Sequence, residues 1–148
     1  MFYSLILLLI GLDQISKFAI QKYLLLNQSI TIIPGILSLT YICNPGAAFG
    51  LFPHQTVFLI IFTLCLFVLA FFFRIKISES PLLFRLGLSL SIGGAAGNLI
   101  DRIRMGSVID FLDLEFWPLK NFPIFNLADS AIVVGVIIIF IYLYLIEN

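Results

Sequence analysis

The sequence predicts an all-α membrane protein: four transmembrane helices, with a small β-element on one membrane face. Three observations lead there. Hydrophobic residues fill 61% of the 148 positions and charged residues only 11%, against roughly 25% charged residues in soluble domains. Apolar runs of spanning length recur along the chain. One connection between them is rich in β-branched residues around a Pro-Gly pair. Net charge is zero, and no basic block calls for a nucleic-acid partner.

A spanning helix needs about 20 mostly apolar residues. The first is expected over residues 2–25. Its opening stretch is too short alone, and "DQISKFAIQKYLLL" extends it. A cleaved leader fits poorly, because a basic head and a small-residue cleavage pattern are both missing. The other three are expected over 56–73, 82–100 and 130–146. An even number of spans leaves both termini on one face. Without repeats or low-complexity linkers, residues 1–148 read as one domain.

The connections differ. "RIKISESP" joins helices two and three and carries Arg74 and Lys76, with Arg85 close behind. Positive charge favours the cytoplasmic side. The opposite face holds Lys22, Arg102, Arg104 and Lys120, so charge bias alone does not orient the chain. On that face "SITIIPGILSLTYI" suggests a strand pair turning at Pro34-Gly35. A second long connection carries Phe111, Phe116, Trp117, Phe122 and Phe125, rings that suit headgroup depth. Cys65 lies in an apolar run and reads as a small packing residue. Neither it nor Cys43 has metal or CxxC spacing.

Ionisable residues within spans mark sites or pairings. Asp13 and Lys17 are spaced i,i+4 on one helix face, within pairing distance. That is an internal ion pair or site support, and the two are compatible. "GGAAG" lets a neighbouring helix approach closely. It lacks the lysine and preceding strand of a phosphate-binding loop. Asn98, Asp101 and Arg102 follow. Arg102 pairs with Asp101 or snorkels on one reading, and orients a carboxylate or substrate carbonyl on another. Asn126 and Asp129 read as an N-cap and a first-turn acid. Short connections also bring Asp110, in "VIDF", to the same face as Asp129. Two carboxylates that meet share a proton: one activates water, the other polarises a carbonyl. The single histidine, His54, reads as a surface residue, and no metal or other cofactor is called for. Two rivals remain at this level: an ion-coupled transporter subunit with a charge relay, and an assembly protein whose acids only cap and pair.

"DQISK", "NPGAAFG", "GNLIDRI", "GSVIDF" and "FNLADSAI" occur in that order over nearly the whole chain. Together they resemble the lipoprotein signal peptidases, or signal peptidase II, of bacteria. The resemblance implies a multi-pass aspartyl endopeptidase of the inner (cytoplasmic) membrane. Its termini would be cytoplasmic, and its active site and β-element extracytoplasmic. It would cut diacylglyceryl-modified prolipoproteins on the N-terminal side of the lipidated cysteine, as a monomer among membrane lipids. By motif the catalytic pair falls on Asp110 and Asp129. Supporting positions fall on Asp13, Lys17, Asn44, Gly46, Asn98, Asp101, Arg102, Asn126 and Ala128. Asn44, Arg102 and Asn126 would contact substrate backbone or the dyad, and Gly46 would let a chain pass close. Asp113 matches no catalytic position and is expected to be a solvated or headgroup-facing acid on the interfacial loop.

Overall fold

The computed structural model describes residues 1–46, 52–119 and 122–147, with Glu147 described by its backbone alone. Five helices and three strands follow in the order α1 (Phe2–Tyr23), β1 (Ser29–Ile33), β2 (Leu37–Asn44), α2 (Thr56–Phe72), α3 (Arg74–Glu79), α4 (Leu82–Met105), β3 (Val108–Leu114) and α5 (Leu127–Glu147). Positions 47–50 of the "NPGAAFG" block, and Lys120, lie outside the described residues.

α1, α4 and α5 are long and apolar enough to cross a bilayer; α2 is apolar but has 17 residues. At about 1.5 Å per residue α2 spans about 26 Å, a little short of a hydrocarbon core of roughly 30 Å. α4 is the central helix, with α1 on one flank and α5 on the other. Its glycines explain the closeness. A Cβ at Gly87 would meet the Gly135 carbonyl at 2.7 Å, and one at Gly94 would strike the Ala128 backbone. Toward α1, a Cβ at Gly93 would lie 3.0 Å from Leu9, and one at Gly97 would strike the Asp13 carboxylate. Small residues thus replace side-chain interdigitation where apolar lipid gives no hydrophobic drive to helix pairing.

Helix ends differ from the expected ones in ways that matter to the site. α1 stops at Tyr23, because Leu24 turns to an extended conformation. α4 continues to Met105 and ends at Gly106 in the left-handed region, φ 74°, where glycine has no Cβ penalty. Asp101 and Arg102 are therefore helical. α5 begins at Leu127, three residues early, so Ala128 and Asp129 occupy its first turn.

The β-element has three strands where the sequence suggests a pair. The order is β1-β2-β3, antiparallel throughout. The third strand is "VIDFLDL", read from sequence as an interfacial loop. Its register sets Ile42 opposite Asp110, Asn44 opposite Val108, and Ser38 opposite Asp113. Alternation along β3 sends Ile109 and Phe111 into a cluster with Ile20 and Leu24 of the α1 end. Phe111 is thus 5% exposed, a core ring rather than a headgroup ring, whereas Trp117 is 89% exposed. Cys65 also differs from its expected packing role, being exposed on α2. His54 is exposed as expected.

Candidate active site

Two facts place the acids together. The strand alternation that buries Phe111 turns Asp110 to the other face of β3. The segment before α5 then adds to the sheet: Leu112 N–H donates to the Phe125 carbonyl at 2.7 Å, and Phe125 N–H donates back at 3.2 Å. Asn126 therefore follows directly beside Asp110.

Asn126 is fully buried and joins the two carboxylates. Its Nδ2 donates to Asp110 Oδ1 at 2.7 Å. Its backbone N–H donates to Asp129 Oδ2 at 3.2 Å, while its Oδ1 accepts from the Asp129 N–H at 2.8 Å. That reciprocal pair is a capping box, N-cap to third helical residue. The expected capping role is therefore present, and the same carboxylate still faces the cavity. Asn44 lies diagonally across the β2–β3 ladder and donates through Nδ2 to Asp110 Oδ2 at 2.9 Å. Asn98 donates to Asp129 Oδ1 at 2.8 Å.

Beneath the acids lies a buried charge cluster. The Lys17 ammonium meets Asp13 Oδ2 at 2.8 Å, Asp101 Oδ2 at 2.8 Å and Asn98 Oδ1 at 3.0 Å. All three of its donors are thereby used. The two acids reach onward to the dyad-bearing elements. Asp13 Oδ1 accepts from the Ala128 N–H at 3.1 Å, at the start of α5. Asp101 Oδ2 accepts from the Ile109 N–H at 3.3 Å, in β3. Asp101 thus pairs with Lys17 rather than with Arg102. Gln14, in none of the expected roles, bridges Asp13 Oδ2 at 3.2 Å and Asp101 Oδ1 at 3.0 Å. Its position next to Asp13 in "DQISK" was the one available signal.

Arg102 is half-buried and donates to the Gly46 carbonyl at 3.0 Å; the Gly46 N–H in turn donates to Asn44 Oδ1 at 2.9 Å. Arg102 feels the charges of Asp129 and Asp110, while its guanidinium donates to the loop. Asp113 accepts from Thr40 Oγ1 at 2.8 Å, so it is a strand residue rather than a loop one, and it stays partly exposed.

A cavity of about 330 Å³ opens over the acids, with Asn44, Asp110 and Asp129 at its polar end and Leu114, Phe122 and Val133 among its apolar walls. Asp110 is 1% exposed. Burial above all, then the charge of Asp129, pushes its carboxyl up to about 7, against the hydrogen bonds of Asn44 and Asn126 and the charge of Lys17. A carboxyl that keeps its proton near neutrality beside a second carboxylate is equipped for acid–base chemistry at a carbonyl. Among the described residues, no group of three or more His, Cys, Asp or Glu side chains is arranged to hold a metal ion.

A family model described as signal peptidase (SPase) II matches residues 5–145. The chain belongs to the signal peptidase II family. It is an aspartic-type peptidase of transmembrane character. A lipoprotein signal peptidase of Enterococcus faecalis is 45% identical over 141 residues, covering 95% of this chain and 86% of that one. One from Moorella thermoacetica is 48% identical over 139 residues, 93% and 89% of the two chains. A bacterial membrane enzyme solved by the in meso method at 2.3 Å has a TM-score of 0.89 and 34% identity, covering 97% of this chain and 87% of its own.

Proposed function

We propose that this peptidase removes signal peptides from diacylglyceryl-modified prolipoproteins, cutting on the N-terminal side of the lipidated cysteine with Asp110 and Asp129 as the catalytic pair. The observation carrying this reading is Asn126 hydrogen-bonded to both carboxylates, which themselves line one apolar-walled cavity. The relatives' shared name, lipoprotein signal peptidase, supports the substrate class.

Ionised Asp129 takes a proton from the attacking water. Protonated Asp110 donates a hydrogen bond to the scissile carbonyl, stabilising the developing oxyanion. The tetrahedral intermediate collapses as a carboxyl proton passes to the leaving cysteine nitrogen, and the dyad regains its starting state. Asn44, Asn98 and Asn126 hold the carboxylates in place, and the Asp13–Lys17–Asp101 cluster holds the elements that carry them. Arg102 and Gly46 border the substrate path.

Four spans are expected, α2 completing the set with α1, α4 and α5. The termini then lie in the cytoplasm and the dyad near the extracytoplasmic face of the inner membrane. At that depth a diacylglyceryl group keeps its acyl chains in the bilayer while the scissile bond reaches the acids. A monomer contains every named group.

The test uses purified protein in detergent and a gel-shift assay on lipidated and unlipidated precursor. Asp110→Asn and Asp129→Asn should each abolish cleavage of the lipidated form while folding normally, and Asp113→Asn should keep most activity. Full activity in either dyad variant removes that residue from the mechanism. Equal cleavage of both precursors removes the lipid from recognition.

A further inference from the structure

The membrane face opposite the dyad carries a cavity that the peptidase chemistry does not use. It holds about 220 Å³ and lies where α1 and α4 begin and α2 passes into α3. Phe2, Ile6, Phe67 and Ile92 form apolar walls, and Arg74 and Arg85 line it as well. A second cavity, about 470 Å³, adjoins it and shares Phe67, Ala70, Ile77 and Ile92. α2 therefore stands apart from α4, leaving a cleft with apolar walls. α4 and α5, by contrast, are in close backbone contact.

The arginines are poorly satisfied by the protein. Arg85 Nε is buried and has no hydrogen-bond partner. A charged donor left in that condition is costly unless something outside the chain accepts from it. Arg74 donates to the Phe71 carbonyl at 3.1 Å and lies over the Phe71 ring at 4.4 Å. Neither arginine forms an ion pair among the described residues, where the ion pairs belong to Lys17. This end of the chain carries Arg74, Lys76 and Arg85 against Glu79 and Glu147, so the cleft favours an anion.

We propose that this cleft binds an anionic phospholipid, its phosphodiester accepting hydrogen bonds from Arg85 and Arg74 and its first acyl methylenes lying along Phe67 and Ile92. Three considerations select a lipid. The planar guanidinium fork matches phosphate oxygens. Arg74 opens α3, one residue beyond the α2 cap, and Arg85 lies in the first turn of α4, which sets the charges at headgroup depth. The walls are apolar, as acyl chains require and as a soluble anion does not. The site lies at the other membrane face from the dyad and does not depend on the peptidase reading.

Native mass spectrometry of the full chain, released from mixed micelles, tests this. Phosphatidylglycerol and phosphatidylcholine of equal chain length are offered together, with inorganic phosphate as a third probe. Wild type should retain phosphatidylglycerol preferentially. Arg74→Gln and Arg85→Gln should each lower that preference about fivefold, the ratio equivalent to about 1 kcal/mol per basic residue near an anionic leaflet. Arg85→Lys should keep much of it, and Lys22→Gln, on the dyad face, all of it. Equal retention of the two lipids by wild type overturns the proposal, as does an undiminished preference in the double glutamine variant. Displacement of the lipid by millimolar inorganic phosphate also overturns it, since the cleft would then be a soluble-anion site. Should Arg85→Gln fail to unfold cooperatively, exposed Arg74 carries the test, and an unchanged preference in Arg74→Gln is decisive against it.

Discussion

Asp110 meets two opposed demands. Burial lifts its carboxyl from the ordinary 3.8 to about 7, which suits a proton donor and costs the fold. The sign follows from proton counting. Between pH 3.8 and about 7 the native state holds a proton that the unfolded chain has lost, so stability falls as pH rises through that window. Asp110→Asn should remove this slope: its thermal midpoint in detergent should change less between pH 4 and pH 8 than that of wild type. If Asp110 is the proton donor proposed above, cleavage by wild type should decline as pH rises through about 7, and a pH–kcat profile measures it. Asn126 is the other residue on which the pair depends, since it bonds both acids. Asn126→Ala should lower kcat by at least about 100-fold, in the range of a lost acid–base contribution. The change should appear in kcat more than in KM, and the lost cap should cost about 1 kcal/mol of stability.

At the scale of elements, the site is a junction of two strands and three helices clamped by a buried lysine. α1 supplies Asp13 and Lys17, α4 supplies Asn98 and Asp101, and their hydrogen bonds end on the backbones of β3 and α5. Lys17→Met would leave two acids buried without their cation. Breaking a buried ion pair costs about 3–5 kcal/mol, so chemical or thermal unfolding should show a loss of that order. Activity should fall too, because the same bonds fix the register of α5 against β3. The glycines of α4 belong to this clamp. Gly97 leaves room for the Asp13 carboxylate, and Gly94 for the Ala128 backbone.

At the scale of the whole molecule, polar chemistry gathers at one end of an apolar bundle. The sheet stands on the α1 end through Ile20, Leu24, Ile109 and Phe111, which sets the dyad where helices give way to the surface. Two exposed cysteines report the resulting topology. Cys43 lies in β2 beside Asn44, and Cys65 lies mid-way along α2. In spheroplasts exposing the extracytoplasmic face, a membrane-impermeant maleimide should label Cys43 and leave Cys65 unmodified. Labelling of Cys43 only from inverted vesicles would reverse the orientation.

Much of this was legible in the chain alone, for identifiable reasons. Hydropathy is a local property, so the runs that became α1, α4 and α5 stand out without any partner. The N-cap character of Asn126 and the i,i+4 pairing of Asp13 with Lys17 are likewise set by neighbours a few residues away, and both appear in the structure. β3 did not stand out, because it pairs with a strand more than sixty residues earlier and its pattern of bulky residues also fits a headgroup loop. The same distance hid the fate of Asp101, whose partner is Lys17 rather than adjacent Arg102, and of Asp113, tied to Thr40. Local pattern alone was enough to place the chain in a family of membrane peptidases and to mark three of its apolar spans. Which groups surround each acid, and that Asn126 joins Asp110 to Asp129, became visible in the folded chain. Burial and hydrogen bonding between distant segments, unlike hydropathy, exist only once the chain has folded.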